Sequence, residues 1–243
     1  MQELLSPEGL RVDGRRPNEL RKISCRASVL RSSDGSAYYE QGNTKVLVAV
    51  YGPHESRHRS QVQFDRAFIN VEFNVAPFST NERRKRSKND KRLLEIASAI
   101  KQTFEPVVIT TLFPRSQIDI YLHLFQHDGG TLETCINAAT LALIDAGIPL
   151  HDYVCACTAG YIENTPILDL NHTEEASPET PDLTIAILPR TQKIALLQME
   201  SKLHVEKVEE IITAAMHGCK FIHKKLDDAV SQVTKELSEK LNQ

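Results

Sequence analysis

A pair of glycines places the tightest constraint on this chain. Asp128-Gly129-Gly130-Thr131-Leu132 stands between an alternating apolar run (Ile118, Ile120, Leu122, Leu124) and an apolar stretch that stops at Gly147, with Pro149 beyond. Alternation with period two predicts a strand, and the stretch from about 132 to 146 predicts a helix closed by Gly147. Glycines between a strand and a helix leave backbone N–H groups free at the helix's positive end, an arrangement that receives anions. The same residues could simply make a tight turn with Thr131 as a helix cap. Leu132 falls in the first helical turn, where a phosphate-handling enzyme would place a guanidinium. The pattern is a cradle without a clamp.

The rest of the chain reads as strands first, then alternating helices and strands. Ser36–Tyr51 predicts two strands around Gly42-Asn43, and Arg66–Val75 a third. Leu93, Ile96, Ala97, Ile100 and Phe104 recur at helical spacing, with Pro106 at the exit. Val107–Phe113 and Gln117–Phe125 read as strands before the glycine pair, and 153–162, 167–170, 183–188 and 193–199 after it. A closing helix carries a narrow stripe from Val208 through Ile211, Ala215, Cys219 and Ile222 to Leu241, suited to a sheet or a partner. Asn171–Pro181 reads as a loop. The whole predicts an α/β (α+β) chain of two similar sheet-plus-helix halves, about 9–150 and 151–243, in one domain.

Composition narrows the function classes. The 243 residues are 41% apolar and 25% charged, ordinary for a globular protein. No run of eighteen apolar residues occurs, so no membrane span is expected. Met1–Arg16 lacks the apolar core of a secretory signal. Five cysteines (Cys25, Cys135, Cys155, Cys157, Cys219) without zinc-like spacing predict core thiols in a reducing compartment, and no metal or cofactor. His123, His127, His151 and His172 show no ligand spacing either. The net charge of −3 conceals an asymmetry: Arg83-Arg84-Lys85-Arg86-Ser87-Lys88-Asn89-Asp90-Lys91-Arg92 holds seven basic residues in ten, while Glu174–Asp182 is acidic. A basic run on an acidic chain suits a local polyanion contact, or a solvated loop or localisation signal.

Further motifs join the glycine pair in a fixed order. They are Arg11-Val-Asp-Gly-Arg-Arg16, Asp34-Gly-Ser-Ala-Tyr-Tyr-Glu-Gln-Gly-Asn-Thr-Lys45, Pro114-Arg-Ser-Gln-Ile-Asp119 and Asn137-Ala-Ala-Thr-Leu-Ala-Leu-Ile-Asp-Ala-Gly147. With these, the chain resembles the RNase PH family from about Gly9 to Lys224. Within it, the chain is most similar to ring subunits of the eukaryotic RNA exosome related to the archaeal catalytic ring subunit. The resemblance implies an RNase PH-like, ribosomal-protein-like fold.

Active members of that family cleave RNA from its 3′ end with phosphate, releasing nucleoside diphosphates. The resemblance places the phosphate site at Gly130 and Thr131, with an arginine next where this chain has Leu132. Glu133 follows, and its carboxylate is expected to repel phosphate. Each charge-assisted hydrogen bond removed is worth about 1.5–3 kcal/mol, and one missing anion-stabilising donor about 100–1000-fold in rate. Active members also carry two aspartates six positions apart; here Glu175 replaces the first and Asp182 stands seven positions on. The phosphate site and the acidic pair are both expected to be degenerate, with no catalytic residue.

RNA contact is expected to survive. Lys91 and Arg92 match a basic pair that faces the central channel in this kind of subunit, and Arg83, Arg84, Lys85, Arg86 and Lys88 would enlarge the collar. The resemblance thus implies a non-catalytic ring subunit, in nucleus, nucleolus and cytoplasm. Its implied partners are other RNase PH-like ring subunits, RNA-binding cap subunits, a hydrolytic exoribonuclease and single-stranded RNA. Two alternatives remain: an active phosphorolytic exoribonuclease using Arg92 and the basic loop in place of the clamp, and a homohexameric transfer-RNA-trimming enzyme.

Overall fold

Apolar alternation builds two sheets, and one buried helix joins them. The computed structural model describes residues 4–6, 9–56, 62–80, 82–83, 90–162, 165–177, 180–199 and 201–241. The elements in chain order are β1 Ile23–Ala27, β2 Gly35–Gln41, β3 Thr44–Glu55, β4 Phe68–Val75, α1 Lys91–Phe104, β5 Ser116–Gln126 and α2 Thr131–Asp145. They continue with β6 Cys155–Ile162, β7 Thr165–Leu168, α3 His172–Glu175, β8 Asp182–Leu188, β9 Lys193–Met199 and α4 Val205–Leu241. The first sheet runs β1-β2-β3-β5-β4, antiparallel except for the parallel β4–β5 pair. The second runs β7-β6-β8-β9 and is antiparallel throughout. These mixed sheets and helices match the expected α+β class.

Helix α2 is apolar nearly all round, and every residue from Glu133 to Leu143 is buried. Ala138, Ala139 and Ala142 keep it slim enough to pack between β2–β3 and β6. Its polar residues are knitted to β6. Asn137 donates to Ala156 O at 2.9 Å and accepts from Ala156 N at 2.8 Å, while Thr140 donates to Val154 O at 2.8 Å. Strand β6 is buried at every position, packed against α2 and α4, so Cys155 and Cys157 are core thiols as expected. Helix α4 seats Ile211, Ala215, Cys219, Ile222 and Leu226 on the core, and both sheets share one apolar cluster. Beyond Val230 its stripe outruns the core, and Leu237 is exposed.

Three expectations need correction. Val107–Phe113 is not a strand. Val108 makes one isolated bridge to Leu150, and a 3₁₀ turn, Thr110–Leu112, follows. Ile109 donates to Pro149 O and His151 to Val107 O across the short crossing at 149–151, and Thr110 O accepts from Ala67 N at 2.9 Å. Val107 and Val108 are buried there without a sheet position. Strand β1 was missed although Ile-Ser-Cys-Arg-Ala alternates apolar and polar, because the run is only five residues long and none of it is fully buried. Asn171–Pro181 is not all loop: α3 forms within it behind a capping box of Asn171 and Glu174.

Candidate anion and RNA site

The turn into α2 works only with glycine. Gly129 (φ 82°) and Gly130 (φ 61°) are both left-handed. A Cβ on Gly129 would stand 2.6 Å from the Asn171 carbonyl carbon and 2.7 Å from Leu170 O. Absence of that Cβ lets the 170–172 backbone pass over the turn, carrying α3 to the mouth of α2. The turn is also braced from behind. Thr44 donates to Gly129 O at 2.7 Å and Arg21 Nη1 to Asp128 O at 2.6 Å.

Placed there, Glu175 meets the helix end. Gly130 N donates to Glu175 Oε2 at 3.1 Å, so the chain's own carboxylate takes the amide at the anion position. Although Glu175 as a residue is exposed, burial of its carboxyl end pushes its pKa up. The Gly130 amide pulls it down and Asp182 adds to the rise. Leu132 packs against the core edge and lines a cavity of about 460 Å³ with Ser79, Arg92, His127, Glu175 and Asp182. Asp182 opens β8, where Ser201 Oγ donates to its carboxylate at 3.1 Å. His127 Nδ1 lies 2.7 Å from Thr131 Oγ1. Among the described residues no group of three or more His, Cys, Asp or Glu is arranged to hold a metal ion.

The expected repulsion from Glu133 does not arise as reasoned. Its side chain turns inward and is fully buried. Gln41 Nε2 donates to Oε1 at 3.0 Å, the Thr158 amide donates to Oε2, and Arg21 lies 3.6 Å away. Residues one apart on a helix point about 100° apart, so with Leu132 at the cavity wall Glu133 falls into the core. Behind the site a charge network ties three segments together. Arg21 bonds Asp169 through its backbone amide, Nε and Nη2 at 2.6–2.8 Å, and Arg15 lies 3.6 Å from the same carboxylate. Burial alone would raise the Asp169 pKa, but Arg21, its hydrogen bonds and Arg15 hold it below the usual range. Arg11 pairs with Glu174 and donates to Asp169 O, with both ionic side chains fully buried. The Arg11–Arg16 motif thereby pins the loop that carries Glu175.

Lys91 and Arg92 occupy the first turn of α1, both exposed, after the N-cap Asp90, whose carboxylate accepts from Arg92 N at 3.2 Å. Cations at a helix N-terminus oppose the dipole at a cost of about 0.3–1 kcal/mol. Helix stability therefore does not account for them. Arg92 reaches the cavity that Leu132 lines. Arg83 is exposed beside a neighbouring groove; Arg84, Lys85, Arg86 and Lys88 lie outside the described residues. Sequence reasoning passed over Ser79, buried with its Oγ unpartnered, and His127. The available signal was His127's place directly before Asp128-Gly129-Gly130, which a search for metal spacing discards.

Residues 19–149 match the 3′ exoribonuclease family, domain 1, and residues 152–218 match its domain 2. The chain belongs to the RNase PH family. A relative from Mus musculus, "Exosome complex component RRP41", is 50% identical over 237 residues, 97% of this chain and 96% of that one. "Exosome complex component RRP41 homolog" of Arabidopsis thaliana is 48% identical over 236 residues, with 97% of each covered. Among solved structures, rice (Oryza sativa) Rrp46 superposes with a TM-score of 0.81 at 26% identity, covering 91% of this chain and 100% of that one. No helix among the described residues is long and apolar enough to cross a membrane.

Proposed function

We propose that this chain is a non-catalytic ring subunit of the RNA exosome that holds single-stranded RNA in a central channel for 3′→5′ processing and decay by an associated nuclease. One observation carries the reading: the cavity at α2 presents Leu132 in its wall and the Glu175 carboxylate on the Gly130 amide. Phosphate would have to displace a covalently tethered anion and then find no guanidinium at position 132. Gly130, Thr131 and Leu132 are then a degenerate phosphate site, and Glu175 and Asp182 a degenerate acidic pair. Lys91 and Arg92, joined by Arg83, Arg84, Lys85, Arg86 and Lys88, form the RNA-binding collar. Phosphate contacts of that kind bind without reading sequence.

The names of the relatives, exosome complex components, support placing this chain in such a complex. Its partners are other RNase PH-like ring subunits, cap subunits and a hydrolytic exoribonuclease, in nucleus, nucleolus and cytoplasm. Residues 1–243 act there as one unit whose halves, about 9–150 and 151–243, share a core; the common apolar cluster supports this. The assay is incubation of the chain and its ring partners with labelled poly(A), Mg²⁺ and phosphate. No phosphate-dependent nucleoside diphosphate is expected, and its release would overturn the reading. Tagged full-length chain is expected to co-purify ring paralogues and a hydrolase.

A second reading, an active phosphorolytic exoribonuclease, draws on Arg92, which lines the same cavity. Under that reading diphosphate release occurs and Arg92→Ala abolishes it.

A further inference from the structure

Phe78 is 73% exposed, yet its backbone is anchored on every side. It follows Pro77 in a turn closed by Ser79 N donating to Ala76 O at 3.0 Å. Both ends of the turn are tied to β5 or its extension, Ala76 N to Leu124 O and His127 N to Ser79 O, each at 2.9 Å. Proline fixes its own φ, so little freedom remains in the turn. The Phe78 ring lies on that of Phe125, centroids 6.4 Å apart and planes inclined by 16°. A lone exposed ring is ordinary; a stacked pair held rigidly at the lip of a groove is a built surface.

The groove has a volume of about 870 Å³ and shares Ser79, Thr80 and His127 with the cavity at α2. Phe78 and Phe125 are its only apolar lining residues among those described. Lys45 and Arg83 border it, opposed by Glu82 and by Asp128, whose carboxylate accepts from Asn43 Nδ2 at 3.0 Å. The charges nearly cancel, so the groove is not a phosphate pocket. An apolar peptide segment would want further apolar wall, and there is none. A flat π-face ringed by polar edges fits a nucleobase, since every base has a π-face and stacking tolerates any sequence.

We infer that Phe78, backed by Phe125, is a stacking platform for one nucleobase of single-stranded RNA beside the α2 cavity. The inference rests on the reading that this chain holds RNA. Arg83 is placed to meet the phosphate attached to the stacked nucleotide, and the ring supplies contact area at almost no ordering cost.

The test uses the complex purified through the tagged full-length chain and anisotropy of a labelled oligoadenylate. Phe78→Ala is expected to weaken binding about tenfold, within the range of one base–aromatic stack, while Phe78→Tyr retains it. The salt dependence stays unchanged, because every phosphate keeps its cationic partner. An abasic oligonucleotide of equal length binds wild type and Phe78→Ala alike. Photocrosslinking of 5-iodouridine RNA to the wild-type complex should mark Phe78, a readout that needs no variant. Equal oligoadenylate affinity of Phe78→Ala and wild type, an equal loss with abasic RNA, or crosslinks to this chain only elsewhere would overturn the platform alone. Loss of a subunit from the Phe78→Ala complex would overturn it too, assigning the ring to a protein interface. Failure of the wild-type complex to bind RNA at all would instead remove the underlying RNA reading.

Discussion

Arg11 shows how a surface-type residue becomes structural. Its guanidinium and the Glu174 carboxylate are both fully buried and pair with each other; the guanidinium also donates to the carbonyls of Leu168 and Asp169, and the carboxylate accepts from Asn171 N at 2.9 Å. Removing one partner strands a buried charge, so Arg11→Ala is expected to lose about 3–5 kcal/mol, measured by urea unfolding. Replacing both partners by apolar residues should be far milder. Asp169 gives the acid limb. Its folded pKa lies below the unfolded value, so the stability it contributes is present above the unfolded pKa and disappears as pH falls through the folded one. Asp169→Asn should therefore be less stable at neutral pH, with a shallower decline of unfolding free energy on acidification below about pH 4. An unchanged acid limb would contradict the Arg21–Asp169 account.

Helix α1 carries the next prediction. Lys91 and Arg92 stand in its first turn against the dipole, and the proposed collar uses them to bind RNA. Each, changed to alanine, should lower RNA affinity uniformly across sequences and reduce the log–log salt slope by about 0.7 for each phosphate no longer neutralised; an unaltered slope would remove that residue from the collar. The elements legible in the sequence were those whose pattern is local: α1, α2, β5 and the β2–β3 hairpin all follow from spacing and turn residues. Strand β1 was passed over because its alternation spans only five residues, and the 107–113 crossing was misread because its partners, Ala67 and the 149–151 segment, lie far off in sequence. The site was half legible. Leu132 could be placed by counting from the glycines. Glu133's inward turn and Glu175's bond to Gly130 needed the path of residues 170–172 over the turn, which no local pattern announces.

The whole molecule is built with open edges. Strand β9 ends its sheet and exposes Ile194, Leu197 and Met199, between 43% and 50% accessible. An edge of that kind invites pairing with another chain. Expressed alone, the protein is expected to self-associate at micromolar concentration by light scattering, and to become a single species when its ring neighbours are supplied. A clean monomer would count against the ring. The central claim, that the anion position at α2 is filled from within the chain, is tested most directly by soaking crystals of the complex in phosphate. The account predicts no ion at Gly130, with Glu175 still bonded to its amide at about the 3.1 Å seen here. A phosphate seated on that amide beside Leu132, with Glu175 displaced, would contradict it.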